Sequence, residues 1–184
     1  MKNWILTIIG SIIIFTACLE SIDNTIQTNL KPFFDLKGFL NGEIEQLKGQ
    51  QVSKSVTLNG KKETKTLKEF DFQAGLKMFV ESDINKPAWF DAYQIDTTHI
   101  DSSTTQIKYT TTKEKLKIKS LQVNFDNDLE TIQSIIIDRL VETDIYDAQQ
   151  QLTYIPNQGF SINNQQEVAL QDKNEYRIEV VFSR

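Results

Sequence analysis

Two stretches in the first half of the chain carry apolar residues at helical spacing. Within residues 32–48 the apolar positions recur every three or four residues, at Phe33, Leu36, Leu40, Ile44 and Leu47. This spacing is typical of an amphipathic helix. Pro32 suits its first position, because a first-turn N–H has no partner within the helix. We predict a second helix over residues 72–82, with Asp71 as its N-cap.

Between these helices the sequence predicts a β-hairpin. Asn59-Gly60 is a strong turn signal, because both residues accept the positive φ of a type I′ turn. The turn joins residues 52–58 to residues 61–67, and a pairing of 58 with 61 opposes Val52 to Leu67. Because the hairpin is poor in apolar residues, we expect it to lie at a sheet edge protected by lysines, namely Lys61, Lys62, Lys65 and Lys68.

The second half of the chain alternates with the period of β-strands. Within residues 115–125 the apolar phase changes near Lys119 and Ser120, which predicts a bulge. Residues 132–141 are apolar on both faces and predict a central strand, and residues 176–182 predict a closing strand. Strands without intervening helices indicate an antiparallel meander. We therefore predict an α+β fold, with two N-terminal helices packed on a twisted antiparallel β-meander sheet whose other face is polar.

The N-terminus has the pattern of a targeting segment. Lys2 precedes an apolar run at residues 4–15, which is too short to cross a bilayer and has the length of a signal-peptide core. The following Phe15-Thr16-Ala17-Cys18 resembles the bacterial lipobox, with Phe15 in place of the commoner Leu. That resemblance implies cleavage before Cys18 and acylation of its thiol and amine. The alternatives are an ordinary signal peptide followed by a chance cysteine, and an uncleaved N-terminal anchor.

The lipobox reading divides the chain into three parts. Residues 1–17 are the lipoprotein signal peptide, residues 18–30 an acylated tether, and residues 31–184 a single α+β domain. Cys18 is the predicted lipid attachment site, so the membrane is a predicted partner. The expected location is the bacterial cell envelope, at the outer membrane, and the side of the membrane that the domain faces stays open.

Composition excludes several classes of protein. The net charge of −5 and pI of about 5.0 argue against a nucleic-acid partner. With one Cys and one His, the chain forms no internal disulfide and no multi-His or four-cysteine metal site. We predict no cofactor and no metal. The alternating lysines that begin at Lys113 are interpreted as one solvated sheet face.

No constellation of residues predicts catalysis. His99 is the only candidate base for a covalent hydrolase, and an edge or packed histidine is the simpler interpretation. We expect the carboxylates at positions 126, 128 and 130 to form a polar turn rather than a calcium loop. Asp138, Arg139 and Glu142 read as an exposed charge ladder, and Trp89-Phe90 as core bulk or as the mouth of a cavity between helices and sheet.

Two resemblances add to this interpretation. The stretch Ser82-Asp83-Ile84-Asn85-Lys86-Pro87-Ala88-Trp89, after the Asn59-Gly60 hairpin, is similar to small uncharacterised lipoproteins of Bacteroidetes, a family that implies no activity. More loosely, helices on a meander behind a lipobox, with residues 152–160 and 176–182, resemble the outer-membrane lipoprotein carrier proteins. The second likeness concerns architecture only, and a shared layout does not transfer function.

The sequence thus predicts a non-enzymatic, lipid-anchored protein of the cell envelope. Its helices and sheet are expected to form a cradle for an apolar ligand. The alternative is a structural or interaction subunit of an envelope complex, with an envelope protein as partner. A carboxylate-based hydrolase is the third candidate.

Overall fold

The fold is built on one antiparallel sheet of nine strands. The computed structural model describes residues 31–126, 128–168 and 174–183. The spatial order of the strands is β2-β1-β9-β8-β7-β6-β5-β4-β3. The strands are β1 (Val52–Leu58), β2 (Lys61–Leu67), β3 (Tyr93–His99), β4 (Thr104–Thr111), β5 (Ile118–Asp126), β6 (Ile132–Glu142), β7 (Tyr146–Ile155), β8 (Gly159–Val168) and β9 (Asn174–Phe182).

The helices are short and contact one face of the sheet, which we call the inner face. Rings from the helical segments meet rings of the sheet there, with Phe39 6.1 Å and Phe79 6.4 Å from Tyr154 between centroids. We call the opposite face the outer face. The helices are α1 (Leu36–Gln46), α2 (Phe72–Gly75), α3 (Lys77–Val80) and a 3-10 helix (Pro87–Trp89).

Helix α1 begins four residues later than the sequence predicted. The side chain of Asp35 caps it by accepting a hydrogen bond from the Gly38 N–H at 3.0 Å. The preceding backbone is bound by other segments instead: the Phe33 N–H donates to Asn85 Oδ1 at 3.1 Å, and the Phe34 N–H donates to the Tyr109 hydroxyl at 3.2 Å. Because these long-range bonds already pair the N–H groups of Phe33 and Phe34, the segment from Pro32 to α1 is stable without helical hydrogen bonds.

The predicted helix over residues 72–82 is two four-residue helices, so the structure has more than two helices. Asp71 caps α2 as predicted, by accepting from the Ala74 N–H at 2.9 Å. The break falls at Leu76, whose backbone lies at φ −96° and ψ 3°. The glycine before it, Gly75, lies against an aromatic ring, because a Cβ there would be 2.7 Å from two ring carbons of Phe70. Glycine is also a weak helix former.

The hairpin prediction is confirmed in register and turn. Val52 is opposite Leu67, and both Asn59 and Gly60 have positive φ, at 47° and 83°. Strand β2 is one edge of the sheet and β3 is the other. The sequence did not predict the partner of β1, which is β9, so the hairpin joins the last strand rather than the next one along the chain.

The predicted bulge and central strand are also confirmed. The β5–β6 register shifts between Ile118 and Ser120, and β6 lies inside the sheet. The interpretation of the lysines from Lys113 onwards is wrong, because residues 113–117 form the loop before β5 rather than a strand. A loop does not hold alternate side chains on one side.

Large apolar side chains fill the space between the helices and the inner face. Leu152 and Tyr154 on β7 have no solvent exposure. Burial of this kind removes apolar surface from water at about 25 cal/mol per Å². The helical segments and the other inner strands contribute further fully buried residues, namely Leu36, Leu40, Leu76, Phe79, Ile84, Leu121, Val123, Ile135 and Ile137.

The outer face is mostly polar, as predicted, and cross-strand hydrogen bonds join its side chains. Asn124 Nδ2 donates to Ser134 Oγ at 2.8 Å, and Asn124 Oδ1 accepts from Gln106 Nε2 at 3.1 Å. A few apolar side chains share this face, among them Val181, which is 49% exposed. The predicted signal peptide, the tether and Cys18 lie outside the described residues.

Candidate functional site

A polar groove crosses the outer face over strands β6 to β9. It encloses about 610 Å³, within the range of about 300–1,000 Å³ that is usual for ligand sites. Two smaller hollows, of about 420 and 380 Å³, share lining residues with it and extend it. The side chains that matter for its chemistry are Asp138, Gln149, Gln151, Asn163, Gln165 and Arg177.

The strand register arranges these side chains in two rows across the sheet. In the first row each residue pairs with the next one: Asp138, Gln151, Asn163 and Arg177. In the second row Leu140 pairs with Gln149, Gln149 with Gln165, and Gln165 with Glu175. Neighbouring strands lie about 4.8 Å apart. The rows therefore present polar groups at regular spacing on one surface.

The two ends of the first row are already bonded within the protein. Asp138 accepts from Ser120 Oγ at 2.8 Å and from Gln151 Nε2 at 3.1 Å, which occupies both carboxylate oxygens. Arg177 Nη2 lies 3.4 Å from Glu179 Oε1, in a pair exposed to solvent. Such an exposed pair contributes about 0–1 kcal/mol, so it leaves Arg177 free to exchange partners.

The middle of the groove carries amide groups whose hydrogen-bonding capacity is unused. Within the part of the chain that the structure describes, the side chains of Gln149, Asn163 and Gln165 make no hydrogen bond to other residues. Each amide has two N–H donors and a carbonyl acceptor. The groove can therefore both donate to and accept from a bound polar chain.

The chemistry-bearing residues that the sequence singled out do not converge on this groove. His99 lies on the edge strand β3, with its Nδ1 2.9 Å from Thr105 Oγ1, which confirms an edge histidine. Asp128 lies in the turn between β5 and β6, where its carboxylate accepts from the Glu130 N–H at 2.8 Å. Among the described residues, no group of three or more His, Cys, Asp and Glu side chains could hold a metal ion.

The aromatic pair Trp89-Phe90 packs at the edge of the core. Phe90 meets Phe33 at 6.3 Å between ring centroids, and Trp89 meets Tyr93 at 6.4 Å. The Lys86 ammonium lies 3.9 Å from the centroid of the Trp89 ring, in a cation–π contact. The pair thus serves as core bulk, which was one of its two interpretations.

The expected charge ladder at residues 138–142 is wrong in one respect. Asp138 is on the outer face, but Arg139 pairs with Gln150 on the inner face and is half-buried. Successive residues of a strand point to opposite faces. Arg139 therefore does not lie beside Asp138 on the exposed face, as the predicted ladder requires. The strand period alone would have shown this.

Sequence reasoning missed the groove, although a signal for it was present. Residues 149–151 and 163–166 are runs of Gln and Asn. Strand pairing places Gln151 opposite Asn163, which brings the two runs together. Two runs of uncharged amide residues, at strand positions exposed to solvent, are the sequence pattern that could have predicted the groove.

Comparison with protein-family models, with curated proteins and with solved structures finds no match to this chain. In the part of the chain that the structure describes, every helix is too short or too polar to cross a bilayer. The candidate site therefore rests on its own geometry and chemistry.

Proposed function

We propose that this chain is a non-enzymatic, lipid-anchored protein of the bacterial cell envelope, held at the outer membrane through acylated Cys18. The support is the order of residues 2–18, where a cation, a short apolar run and small residues precede the single cysteine. Several acyl chains give a durable anchor, whereas one chain gives marginal binding.

Metabolic labelling with a palmitate analogue tests the anchor. We expect label in the wild type and in Thr16→Ser, which keeps the cysteine, and none in Cys18→Ser. Label that persists in Cys18→Ser, or a mature protein whose thiol can be titrated, would refute the anchor and leave the secreted or uncleaved alternatives.

We infer further that the protein acts as an interaction subunit, and that the outer-face groove binds an extended segment of a partner protein. The observation that carries this proposal is the unused amide set Gln149, Asn163 and Gln165 in a groove of about 610 Å³. An extended backbone offers alternating N–H and C=O groups, which amide side chains can match with donors and acceptors.

The groove is better suited to recognition than to catalysis. A general base must be within hydrogen-bond reach of the proton that it removes. Of the two carboxylates that line the groove, Asp138 instead accepts two hydrogen bonds from neighbouring side chains, and Glu175 lies three strands away on β9. At about 4.8 Å per strand the two are too far apart to act as a catalytic pair. This arrangement supports a binding role over the carboxylate-based hydrolase.

The filled interior gives less support to the carriage of an apolar ligand. A carrier needs a cavity of about 300–1,000 Å³ between helices and sheet, where Leu36, Leu40, Phe79 and Tyr154 have no exposure. Native mass spectrometry of the mature chain with Cys18→Ser distinguishes the two roles. A clean mass favours the interaction subunit, and co-purifying lipid favours the carrier.

Site-specific photocrosslinking in the native membrane tests the groove. A photoreactive residue at Gln165 should give a discrete adduct, whereas the same residue at Gln106, on β4 of the same face, should give none. Asn163→Leu combined with Gln149→Leu should remove the adduct, because these changes delete the amides. Equal labelling from positions 165 and 106 would contradict the proposal.

A further inference from the structure

Arg139 occupies an unusual position on the inner face of β6. Its backbone lies opposite Ile118 on β5 and Gln150 on β7, and its side chain is half-buried. Glu81, which follows α3 directly, is the carboxylate in electrostatic range of the guanidinium. The arginine therefore lies near the C-terminal end of α3.

The guanidinium has hydrogen-bond donors that nothing in the described part of the chain uses. Its Nε and Nη1 atoms are buried and have no hydrogen-bond partner. None of the ion pairs between described residues includes Arg139. A buried charged donor without an acceptor destabilises a fold by more than a neutral one does, so this group calls for a physical explanation.

The residues beside Arg139 extend the polar cluster. Gln150 Oε1 is also buried without a donor, while Gln150 Nε2 donates to Asn164 Oδ1 at 3.0 Å. Asn164 is only 2% exposed. Tyr176 on β9 lies in electrostatic range of the guanidinium. A cluster of this kind, fixed by strand pairing on a sheet, is already organised before any ligand arrives.

The local charge favours an anion. Lys86 lies close enough to Arg139 for the two cations to repel each other, and Glu81 attracts both. Glu81 is shared with Lys77, whose Nζ lies 3.8 Å from its Oε1. Burial lowers the pKa of the Arg139 guanidinium below its usual value, which marks it as a poorly solvated cation. Lys77, Lys86 and Arg139 thus carry three positive charges around Glu81. Asp83, near Lys86, is the second carboxylate of the group.

We propose that Arg139, with Asn164 and Tyr176, forms a second binding site on the inner face, and that this site takes an oxyanion, either a carboxylate or a phosphate. A guanidinium donates to such groups in charge-assisted hydrogen bonds, which are about twice as strong as neutral ones. The register turns the Arg139 side chain to the opposite face of the sheet from the groove, although Arg139 and Gln150 also contribute to the lining of the groove. The site does not depend on the function proposed for the groove.

Thermal unfolding of the full-length protein with added anions tests the site. The probes are inorganic phosphate, acetate and octanoate, each compared with chloride at the same ionic strength. We expect at least one probe to raise the melting temperature saturably. The strongest probe identifies the source of the oxyanion: a phosphate, a small carboxylate, or a carboxylate on an apolar chain.

Arg139→Met keeps the length of the side chain and removes its charge and its donors, so the saturable shift should disappear. Lys108→Met removes a cation from β4, outside both proposed sites, and should leave the shift intact. Arg139→Lys keeps the charge without the planar fork, and we expect about a tenfold weaker apparent affinity. Calorimetric titration of the same variants measures that affinity directly.

Two results would overturn the proposal. One is the absence of a saturable shift with all three anions in the wild type. The other is an equal shift in the wild type and in Arg139→Met, or, should Arg139→Met fail to fold, an equal affinity in the wild type and Arg139→Lys. In either case Arg139 would be a structural residue solvated by water alone.

Discussion

The two faces of strands β6 to β8 differ in the solvation and the hydrogen bonding of their polar side chains. On the outer face, Asp138 lies in a groove open to water, and its oxygens are nevertheless bonded by Ser120 and Gln151. On the inner face, the adjacent Arg139 is half-buried, and two of its nitrogens have no partner. Water can replace a lost bond on the outer face, whereas a lost bond inside leaves a desolvated group. The same kind of substitution should therefore have very different effects on the two faces.

The largest difference is expected for apolar and polar neighbours on β7. Leu152→Ala removes a fully buried side chain and should lower the free energy of unfolding by about 2–5 kcal/mol. Thr153→Ala, one residue later on the outer face, should change it by less than about 0.5 kcal/mol. Urea denaturation of both variants measures this, and equal effects would show that the faces are wrongly assigned.

A second prediction compares two amides. Asn85 accepts from the Phe33 N–H at 3.1 Å and donates to the Phe34 carbonyl at 2.9 Å, so it fixes the segment before α1. Asn85→Ala should lower the free energy of unfolding by about 1–3 kcal/mol, because it leaves partly buried backbone groups unpaired. Gln149→Ala in the groove is the matched control and should be nearly neutral. A neutral Asn85→Ala would mean that water replaces both bonds.

A third prediction concerns alkaline pH. Burial raises the pKa of Tyr93 to about 12, from an ordinary value near 10. The unfolded chain therefore loses the Tyr93 proton first, and the stability due to the neutral phenol, complete below pH 10, falls as the pH rises to 12.

The size of this effect is of the order of 1 kcal/mol after allowance for solvent screening. Tyr93→Phe loses the hydrogen bond from the hydroxyl to the Ile118 carbonyl at 2.9 Å, so it should be less stable than wild type at pH 7. Denaturant titrations between pH 7 and 12 should show this gap shrinking above pH 10. A gap that stays constant would contradict the raised pKa. The other tyrosines are common to both proteins and cancel in the difference.

The smallest effect is expected for exposed charges. Lys62 Nζ lies 3.4 Å from Glu179 Oε2 in a pair that is largely exposed on the outer face. Lys62→Met should change the free energy of unfolding by less than about 0.5 kcal/mol, and less again in high salt. A loss above about 1 kcal/mol would mean that β2 depends on this pair for its attachment.

Local rules predicted those parts of the fold that local interactions determine. The Asn59-Gly60 turn set the hairpin register, because both residues accept positive φ wherever the hairpin lies. The Asp71 cap was likewise predicted, because it depends on a residue only three positions away. Predictions failed where residues distant in sequence determine the structure. Helix α1 is an example, because it begins later than predicted where Asn85 and Tyr109 accept hydrogen bonds from the preceding backbone.

The candidate sites were harder to predict, since both depend on which strands become neighbours. The groove needs Gln151 beside Asn163 and Asn163 beside Arg177, and no short motif encodes those pairings. Arg139 could have been assigned to the inner face from the period of β6. Its lack of a partner depends on residues from four other strands and a helical segment, which only the folded chain brings together.

The pairing of β1 with β9 has a consequence for how the chain assembles. Val52 is hydrogen-bonded in register with Phe182, although almost the whole domain lies between them in sequence. The β1–β2 hairpin therefore cannot join the sheet until β9, the last strand, has been synthesised. Closing so long a loop slows folding, and a chain truncated before β9 would leave β1 as an unpaired edge prone to association with other chains.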